Sequence, residues 1–84
     1  MPRVTLYTAN VCPFCPIVSR RLNELKRQIP FELEEVDVTF QPKIVRQKGL
    51  RSAPVIETDG RFLVGNATST QIAAFLTEAA GSTG

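Results

Sequence analysis

The chain contains two cysteines, and they lie three residues apart in the motif Cys12-Pro13-Phe14-Cys15. Residues at this spacing share one face of a helix, with Cβ atoms about 5–6 Å apart, so a small adjustment brings the two sulfur atoms within reach of a disulfide bond. Proline is favoured at the first position of a helix, and Pro13 therefore predicts that Cys12 lies at a helix N-terminus. Free N–H groups and the positive end of the helix dipole stabilise a thiolate there. The motif predicts a redox-active dithiol with Cys12 as the attacking thiol.

Three other uses of the motif compete with redox chemistry. A structural zinc site usually needs four cysteine or histidine ligands, whereas this chain has two cysteines and no histidine, so we expect no metal site within one chain. A permanent structural disulfide is disfavoured, because closing so short a loop restricts the unfolded chain least. An iron–sulfur cluster shared by two chains, with one cysteine from each and exogenous thiols completing the ligand set, remains an open alternative.

Length and composition predict one small domain. The 84 residues are 43% hydrophobic and 21% charged, which is ordinary for a globular chain with a single core. We assign residues 1–80 to the domain and 81–84 to a flexible tail. The net charge of +2 is spread along the chain without a basic run, so neither nucleic acid nor a membrane is an expected partner. No signal-peptide pattern and no long apolar stretch are present, so we expect a cytoplasmic protein, where a CxxC motif favours catalysis over structure.

The apolar periodicity predicts three helices and four strands. Apolar positions recurring every three or four residues predict helices at 13–28, at 41–48, and from Thr68 or Ser69 to about 79. Alternating patterns predict strands at 3–8, 31–38, 55–57 and 61–64. The Asp59-Gly60 dipeptide between the last two strands predicts a tight hairpin turn. The apolar phase of the second strand changes near Glu34-Glu35, which predicts a bulge.

The resulting order of elements, β-α-β-α-β-β-α, defines the expected architecture. A helix between the first two strands implies a parallel crossover, and the hairpin adds an antiparallel pair. We therefore predict an α/β fold with a four-stranded mixed sheet and helices on both faces.

Three motifs occur in the order found in glutaredoxins, and together they resemble the smallest form of the thioredoxin fold from Val4 to about Ala79. They are Cys12-Pro13-Phe14-Cys15 at a helix start, Arg51-Ser52-Ala53-Pro54 before a hairpin, and the glycine-led turn Gly65-Asn66 before the last helix. The first differs from the family's usual Cys-Pro-Tyr-Cys by one hydroxyl group, and the second resembles the family's Arg-Thr-Val-Pro. The resemblance implies a glutaredoxin-like, minimal thioredoxin fold.

The resemblance also implies a function: a thiol–disulfide oxidoreductase that reduces protein disulfides, works as a monomer and holds no bound cofactor. Cys12 is expected to attack the substrate and Cys15 to resolve the mixed disulfide. A cis peptide bond is expected before Pro54, and the backbone of Ala53 is expected to pair with the substrate like an added strand. The residues expected to bind substrate are Pro13, Phe14, Arg51, Ala53, Pro54, Gly65 and Asn66.

Two departures from the family concern glutathione, its usual electron donor. Ala9 stands where glutaredoxins commonly carry a lysine, and Thr68-Ser69 stand where they carry acidic residues. Those family residues bind the two charged ends of glutathione, so we expect weak binding unless Arg51 or Lys48 replaces one contact. The expected donor is therefore glutathione or, preferentially, a flavoenzyme of the thioredoxin reductase type.

A binding module is the competing class of function. The same motif suits an iron–sulfur cluster carrier or a noncatalytic thioredoxin-fold docking domain. An absorbance spectrum of protein purified without oxygen separates these hypotheses: visible charge-transfer bands favour the carrier, and a colourless protein that is active on disulfides favours the oxidoreductase.

Overall fold

The computed structural model describes residues 3–81 and, for 79–81, the backbone alone. Four strands and three helices follow one another in the predicted order. The strands are β1 (Arg3–Thr8), β2 (Glu32–Asp37), β3 (Val55–Thr58) and β4 (Arg61–Val64), and the helices are α1 (Cys15–Leu25), α2 (Pro42–Lys48) and α3 (Ser69–Gly81). Gly81, assigned above to the tail, is thus the last residue of α3, and the rest of that tail lies outside the described residues. No described helix is both long and apolar enough to cross a membrane.

The four strands form one mixed sheet in the order β2-β1-β3-β4. β1 runs parallel to β2, while the pairs β1 with β3 and β3 with β4 are antiparallel, as the crossover helix and the hairpin predicted. Thr8 pairs with Asp37, and Val55 pairs with both Tyr7 and Val64. The last residues of β1, β2 and β4 therefore meet the first residue of β3 at one end of the sheet. The loops that follow or precede them, together with the first residue of α1, carry every predicted site residue.

One face of the sheet carries the hydrophobic core. Side chains of β1 and β3 at alternate positions point to this face, and α1 and α3 cover it. The buried cluster comprises Val4, Leu6, Val18, Leu22, Phe31, Ile56, Ala67, Ile72 and Leu76. Burying an aliphatic side chain of this size contributes about 1.5–3 kcal/mol. This packing holds α1 firmly against the sheet and so fixes the position of Cys15 at the start of that helix.

The opposite face of the sheet is covered less completely, by α2 alone. Tyr7 and Glu57 point to this face, and with Ile44 and Lys48 of α2 they line an open groove of about 370 Å³. No residue of α2 is fully buried. Helices therefore lie on both faces, as predicted, but the second layer is thin.

Helix α1 ends at Leu25, three residues before its predicted end. Beyond it the backbone N–H groups of Arg27 and Gln28 donate to carbonyls three residues earlier, at 3.2 and 2.9 Å. Such bonds form the tighter 3₁₀ type of turn. The chain is thus wound more tightly before Pro30 ends the segment.

The predicted bulge in β2 is absent. β1 and β2 pair in continuous register from Arg3 with Glu32 to Thr8 with Asp37. Leu33 and Val36 are both half-buried, and residues three apart on a strand point to opposite faces. Because β2 is an edge strand with helices on either side of the sheet, each face takes one apolar side chain. The change of apolar phase therefore needs no extra residue.

The turns and caps follow the local sequence. Asp59 and Gly60 both have positive φ angles, 52° and 75°, as the predicted two-residue hairpin turn requires. The N–H of Gln71 donates to Thr68 Oγ1 at 3.1 Å, and Gln71 Oε1 accepts the N–H of Thr68 at 2.9 Å. This reciprocal capping box starts α3 and confirms Thr68 as its cap.

Candidate functional site

The two cysteines form a disulfide next to the end of β1. Their Cα atoms are 5.4 Å apart. Cys15 begins α1 and is 4% exposed, whereas Cys12 lies in the preceding loop and is half-buried. The backbone N–H of Cys15 donates to the carbonyl of Cys12 at 3.3 Å and closes the loop. An approaching disulfide therefore reaches the sulfur of Cys12 before that of Cys15.

The start of α1 differs from the prediction based on Pro13. Phe14 is the N-cap residue, Cys15 is the first helical residue and Pro16 follows it in the first turn. Proline suits the first turn generally, because its missing N–H would have no partner within the helix. Pro16, rather than Pro13, therefore determines where the helix starts. Cys12 lies outside the helix, but the disulfide holds its sulfur against the first helical side chain, beside the positive end of the dipole.

The Ala53-Pro54 segment lies beside the cysteine loop. Its peptide bond is cis, as the resemblance implied. Val55, the next residue, pairs with Tyr7, so Pro54 lies next to the point where β1 enters the loop toward Cys12. Among the residues that the structure describes, the backbone of Ala53 takes part in no backbone hydrogen bond. Its N–H and carbonyl are thus available to an extended partner.

The turn after β4 is hydrogen-bonded to the same segment. The N–H of Gly65 donates to the carbonyl of Pro54 at 2.9 Å. Gly65 has a φ of 96°, which side chains other than glycine rarely adopt, and the space beside its Cα is open. Gly65 and Pro54 together therefore form one continuous wall beside the cysteine loop.

Arg21 joins this wall to the cysteine-bearing helix, a role that the sequence did not reveal. Its guanidinium donates to Asn66 Oδ1 at 2.8 Å and to the carbonyl of Ala67 at 2.5 Å. The sequence places Arg21 among the charged residues on the outer side of α1, and its partners are 45 and 46 residues away. The side chain of Asn66, predicted to bind substrate, is engaged with α1 instead.

Exposed apolar side chains lie on either side of Cys12 in the sequence and in the loop after β2. Phe14 is 45% exposed and Val11 is 93% exposed. Phe40, in the loop after β2, is 85% exposed and was not predicted as a site residue. The N–H of Asn10 donates to Thr39 Oγ1 at 2.8 Å, which joins the loops that carry Val11 and Phe40. Large apolar side chains exposed together are typical of a surface that binds another molecule.

The remaining predicted binding residues lie at the surface around these loops. Pro13 is exposed beside Cys12. Arg51 is also exposed and lines an open groove between α2 and its flanking loops. Of the predicted set, the structure brings Cys12, Cys15, Ala53, Pro54 and Gly65 to one end of the sheet, and it places Arg51 at the border of that region.

Two of the side chains named above in connection with glutathione are engaged within the protein. Lys48 Nζ lies 3.1 Å from Glu57 Oε2, on the sheet face covered by α2. The hydroxyl of Thr68 accepts the N–H of Gln71 in the α3 cap. Arg51 and Ser69, the other two side chains named there, make no such contact in the described part of the chain.

Tyr7, to which the sequence assigned no role, is hydrogen-bonded to the same carboxylate as Lys48. Its hydroxyl donates to Glu57 Oε1 at 2.5 Å, and its side chain is 6% exposed. Burial, the hydrogen bond to Glu57, and the negative charges of Glu57 and Glu34 together raise the pKa of Tyr7 to about 12. The network links β1, β3 and α2 on the thinly covered face of the sheet.

We expect Tyr7 to ionise only under strongly alkaline conditions. It is the only tyrosine and the chain has no tryptophan, so phenolate absorbance reports this residue alone. Titration of the folded protein should give a midpoint near pH 12, against about 10 for the urea-unfolded chain. Because the folded state favours the neutral phenol, the raised pKa should contribute about 2–3 kcal/mol to the free energy of unfolding below pH 10. This contribution should be lost as the pH rises toward 12.

The matched variant Glu57→Gln retains a hydrogen-bond acceptor but removes the nearest negative charge. It should therefore move the midpoint below that of the wild type while leaving it above 10. A folded wild-type midpoint near 10 would contradict the assigned network.

No group of three or more histidine, cysteine or carboxylate side chains is placed to hold a metal ion within residues 3–81. Asp37, the last residue of β2, pairs with Thr8 at the end of β1 and has a perturbed pKa. Hydrogen bonds from the hydroxyl and the backbone N–H of Thr39 lower the pKa of its carboxyl. This carboxylate orders the loop that carries Phe40.

The whole sheet and all three helices fall within one known family. Residues 3–77 match the family described as Glutaredoxin-like domain (DUF836). The chain belongs to this family. Its mixed sheet, its helices on both faces and its cysteine pair are those of a small thioredoxin-fold protein, which confirms the resemblance drawn from the sequence.

Individual relatives agree with this membership. A thioredoxin from Methanocaldococcus jannaschii is 28% identical over 60 residues, covering 69% of this chain and 71% of that protein. The NTD_N/C domain of alkylhydroperoxide reductase AhpF from Enterococcus faecalis superposes with a TM-score of 0.81 at 27% identity, covering 89% of this chain. This glutaredoxin-like chain spans 37% of that AhpF chain. A mutant thioredoxin from Halobacterium salinarum shares the fold, with a TM-score of 0.77 and 18% identity, covering 92% of this chain and 73% of that chain.

Family, fold and a closable cysteine pair together indicate thiol redox chemistry.

Proposed function

We propose that this glutaredoxin-like protein is a thiol–disulfide oxidoreductase that reduces disulfides in other proteins. The observation that carries the proposal is the asymmetry of the cysteine pair: Cys12 is accessible in a loop, and Cys15 is buried at the start of α1. An accessible thiol next to a buried one suits a reaction in which the first thiol attacks the substrate disulfide and the second then resolves the mixed disulfide. The exposed apolar side chains around Cys12 and the free backbone of Ala53 support a protein as the substrate.

The proposed reaction has two steps. In the reduced protein the thiolate of Cys12 attacks one sulfur of the substrate disulfide; a mixed disulfide forms, and the other substrate sulfur leaves as a thiolate that takes up a proton. The thiol of Cys15 then loses its proton and attacks the sulfur of Cys12. The internal disulfide forms, and the second substrate thiol is released. Two electrons pass from the protein to the substrate; one of the two protons that the substrate thiols take up comes from Cys15 and the other from water, because Cys12 attacks as a thiolate.

The proposed electron donor is a flavoenzyme of the thioredoxin reductase type rather than glutathione. Ala9 offers no charge to a glycyl carboxylate, Thr68 uses its hydroxyl to cap α3, and Lys48 is paired with Glu57. A charge-assisted hydrogen bond contributes about 1.5–3 kcal/mol, so losing one contact weakens glutathione binding about ten- to a hundredfold. A reducing compartment such as the cytoplasm suits this role, because such donors operate there.

Turnover of one protein-disulfide substrate tests the function and the donor together. We expect rapid reduction with NADPH and a thioredoxin reductase, and slow reduction with millimolar glutathione and glutathione reductase. The variant Ala9→Lys should raise the glutathione-dependent rate, because it restores a cation where the family carries one. A small dithiol serves as a donor-independent control. Efficient turnover with glutathione and none with the flavoenzyme would overturn the donor assignment, and no turnover with any donor would overturn the proposed function.

A further inference from the structure

An open groove of about 590 Å³ runs from the loop after β2, along α2, to the segment before Ala53. Its lining residues are Val38, Thr39, Pro42, Val45, Arg46, Gly49, Leu50 and Arg51. The middle of the groove is apolar, and its two charged members are both arginines. We call this surface the arginine groove.

Both ends of the arginine groove adjoin the cysteine site. At one end Thr39 accepts the N–H of Asn10, two residues before Cys12. At the other end Arg51 lies two residues before Ala53, whose backbone is free among the described residues. When the disulfide of a partner protein lies at Cys12 and the neighbouring partner chain pairs with the backbone of Ala53, that chain therefore also lies against the groove.

The charge of the groove is not neutralised by the protein itself. Arg46 and Arg51 are exposed, and the ion pairs of the described chain, Arg3 with Glu32 and Lys48 with Glu57, involve neither. Lys48, the neighbouring cation on α2, is turned to the other side of that helix, toward Glu57. Two arginines thus face one apolar channel without a carboxylate, which makes the groove complementary to an anionic segment.

We infer that Arg46 and Arg51 select protein substrates that carry a carboxylate side chain next to the reducible disulfide. The partner is an extended segment of an oxidised protein, with Asp or Glu in the arginine groove and an apolar residue against Val11 or Phe40. This inference rests on the proposed reduction of protein disulfides and names the substrate class within it. Guanidinium groups suit this role because they bind carboxylates with two parallel N–H donors.

Matched peptides test the inference. Three peptides with the same internal disulfide and an apolar neighbour differ by Glu, Gln or Lys at one position beside a cysteine. With a flavoenzyme or dithiol as donor, we expect kcat/KM for the Glu peptide to exceed that for the Gln peptide about two- to fivefold, as exposed ion pairs allow, and to exceed that for the Lys peptide further. Moderate salt should reduce the ratio because it screens exposed charges.

The variants locate the effect. Arg46→Gln/Arg51→Gln should bring the Glu-to-Gln ratio to about one, and Arg46→Glu/Arg51→Glu should make the Lys peptide the best substrate. Lys43→Gln is the matched control, because Lys43 is an exposed cation on the same helix outside the arginine groove, and it should keep the wild-type ratio.

The outcomes separate this inference from the proposed function. Equal reduction of all three peptides by the wild type would overturn the substrate class while leaving disulfide reduction intact. Loss of the ratio in Lys43→Gln would show a general charge effect and would also overturn it. If the protein reduced glutathione disulfide better than the Glu peptide, and if this preference depended on Arg51, the groove would be a glutathione site instead. Failure to reduce any disulfide would overturn the proposed function itself.

Discussion

Cys12→Ser should abolish the reduction of protein disulfides, whereas Cys15→Ser should still carry out the first attack and then stall. Cys12 is the accessible cysteine, and without it Cys15, a buried residue that is 4% exposed, is poorly placed to meet a substrate. Without Cys15 the mixed disulfide on Cys12 has no internal thiol to resolve it. Turnover of a protein disulfide with a dithiol donor measures both effects, and circular dichroism of each variant checks that the fold is retained.

The pH dependence of alkylation provides a check on why Cys12 attacks. In the reduced protein the thiol of Cys12 lies beside the start of α1, so its reaction should show a midpoint below the ordinary thiol value of about 8.5. If the alkylation of Cys12 showed a midpoint near 8.5, the start of α1 would not be the source of its reactivity. Equal turnover by Cys12→Ser and the wild type would contradict the assignment of the attacking thiol.

Leu22→Ala should lower the free energy of unfolding by about 2–5 kcal/mol. Leu22 is fully buried in the core between α1, α3 and the sheet, and removing a buried side chain of this size loses its transfer free energy and leaves a cavity. Stability of a domain this small is itself only about 4–13 kcal/mol. Urea denaturation of the oxidised protein, followed by circular dichroism, measures the loss.

Leu25→Ala is the matched control on the same helix. Leu25 is partly exposed and packs against the rim of the core, so the same substitution should cost distinctly less than at Leu22. Similar losses at the two positions would contradict the described orientation of α1 on the sheet.

Local patterns in the sequence predict most of the fold. The order of elements, the two-residue turn at Asp59-Gly60 and the cap at Thr68 depend on neighbouring residues, and all three are confirmed. The cis bond before Pro54 is confirmed as well, but its prediction depended on the family resemblance. Two of the predictions that were wrong also have local causes: Pro16 competes with Pro13 for the helix start, and β2 divides its apolar residues between two faces.

The site contacts that the sequence did not predict all join residues of different helices, strands or turns. Arg21 reaches the turn after β4, and Lys48 and Tyr7 meet at Glu57. On its own helix each of these cations has the spacing of an ordinary solvated face, so periodicity carries no signal of its partner. The place of the exposed Phe40 in the site was not predicted for the same reason, because only the sheet register brings its loop next to the loop that carries Cys12.

The most direct test of the account is the mass of the species formed when reduced Cys15→Ser is mixed with an oxidised protein substrate and quenched with acid. We predict a mixed disulfide in high yield, with the substrate joined to Cys12 by peptide mapping, and none with Cys12→Ser under the same conditions. Absence of the adduct from Cys15→Ser, or an adduct formed by Cys12→Ser through Cys15, would contradict the claim that this glutaredoxin-like protein reduces disulfides by attack from Cys12.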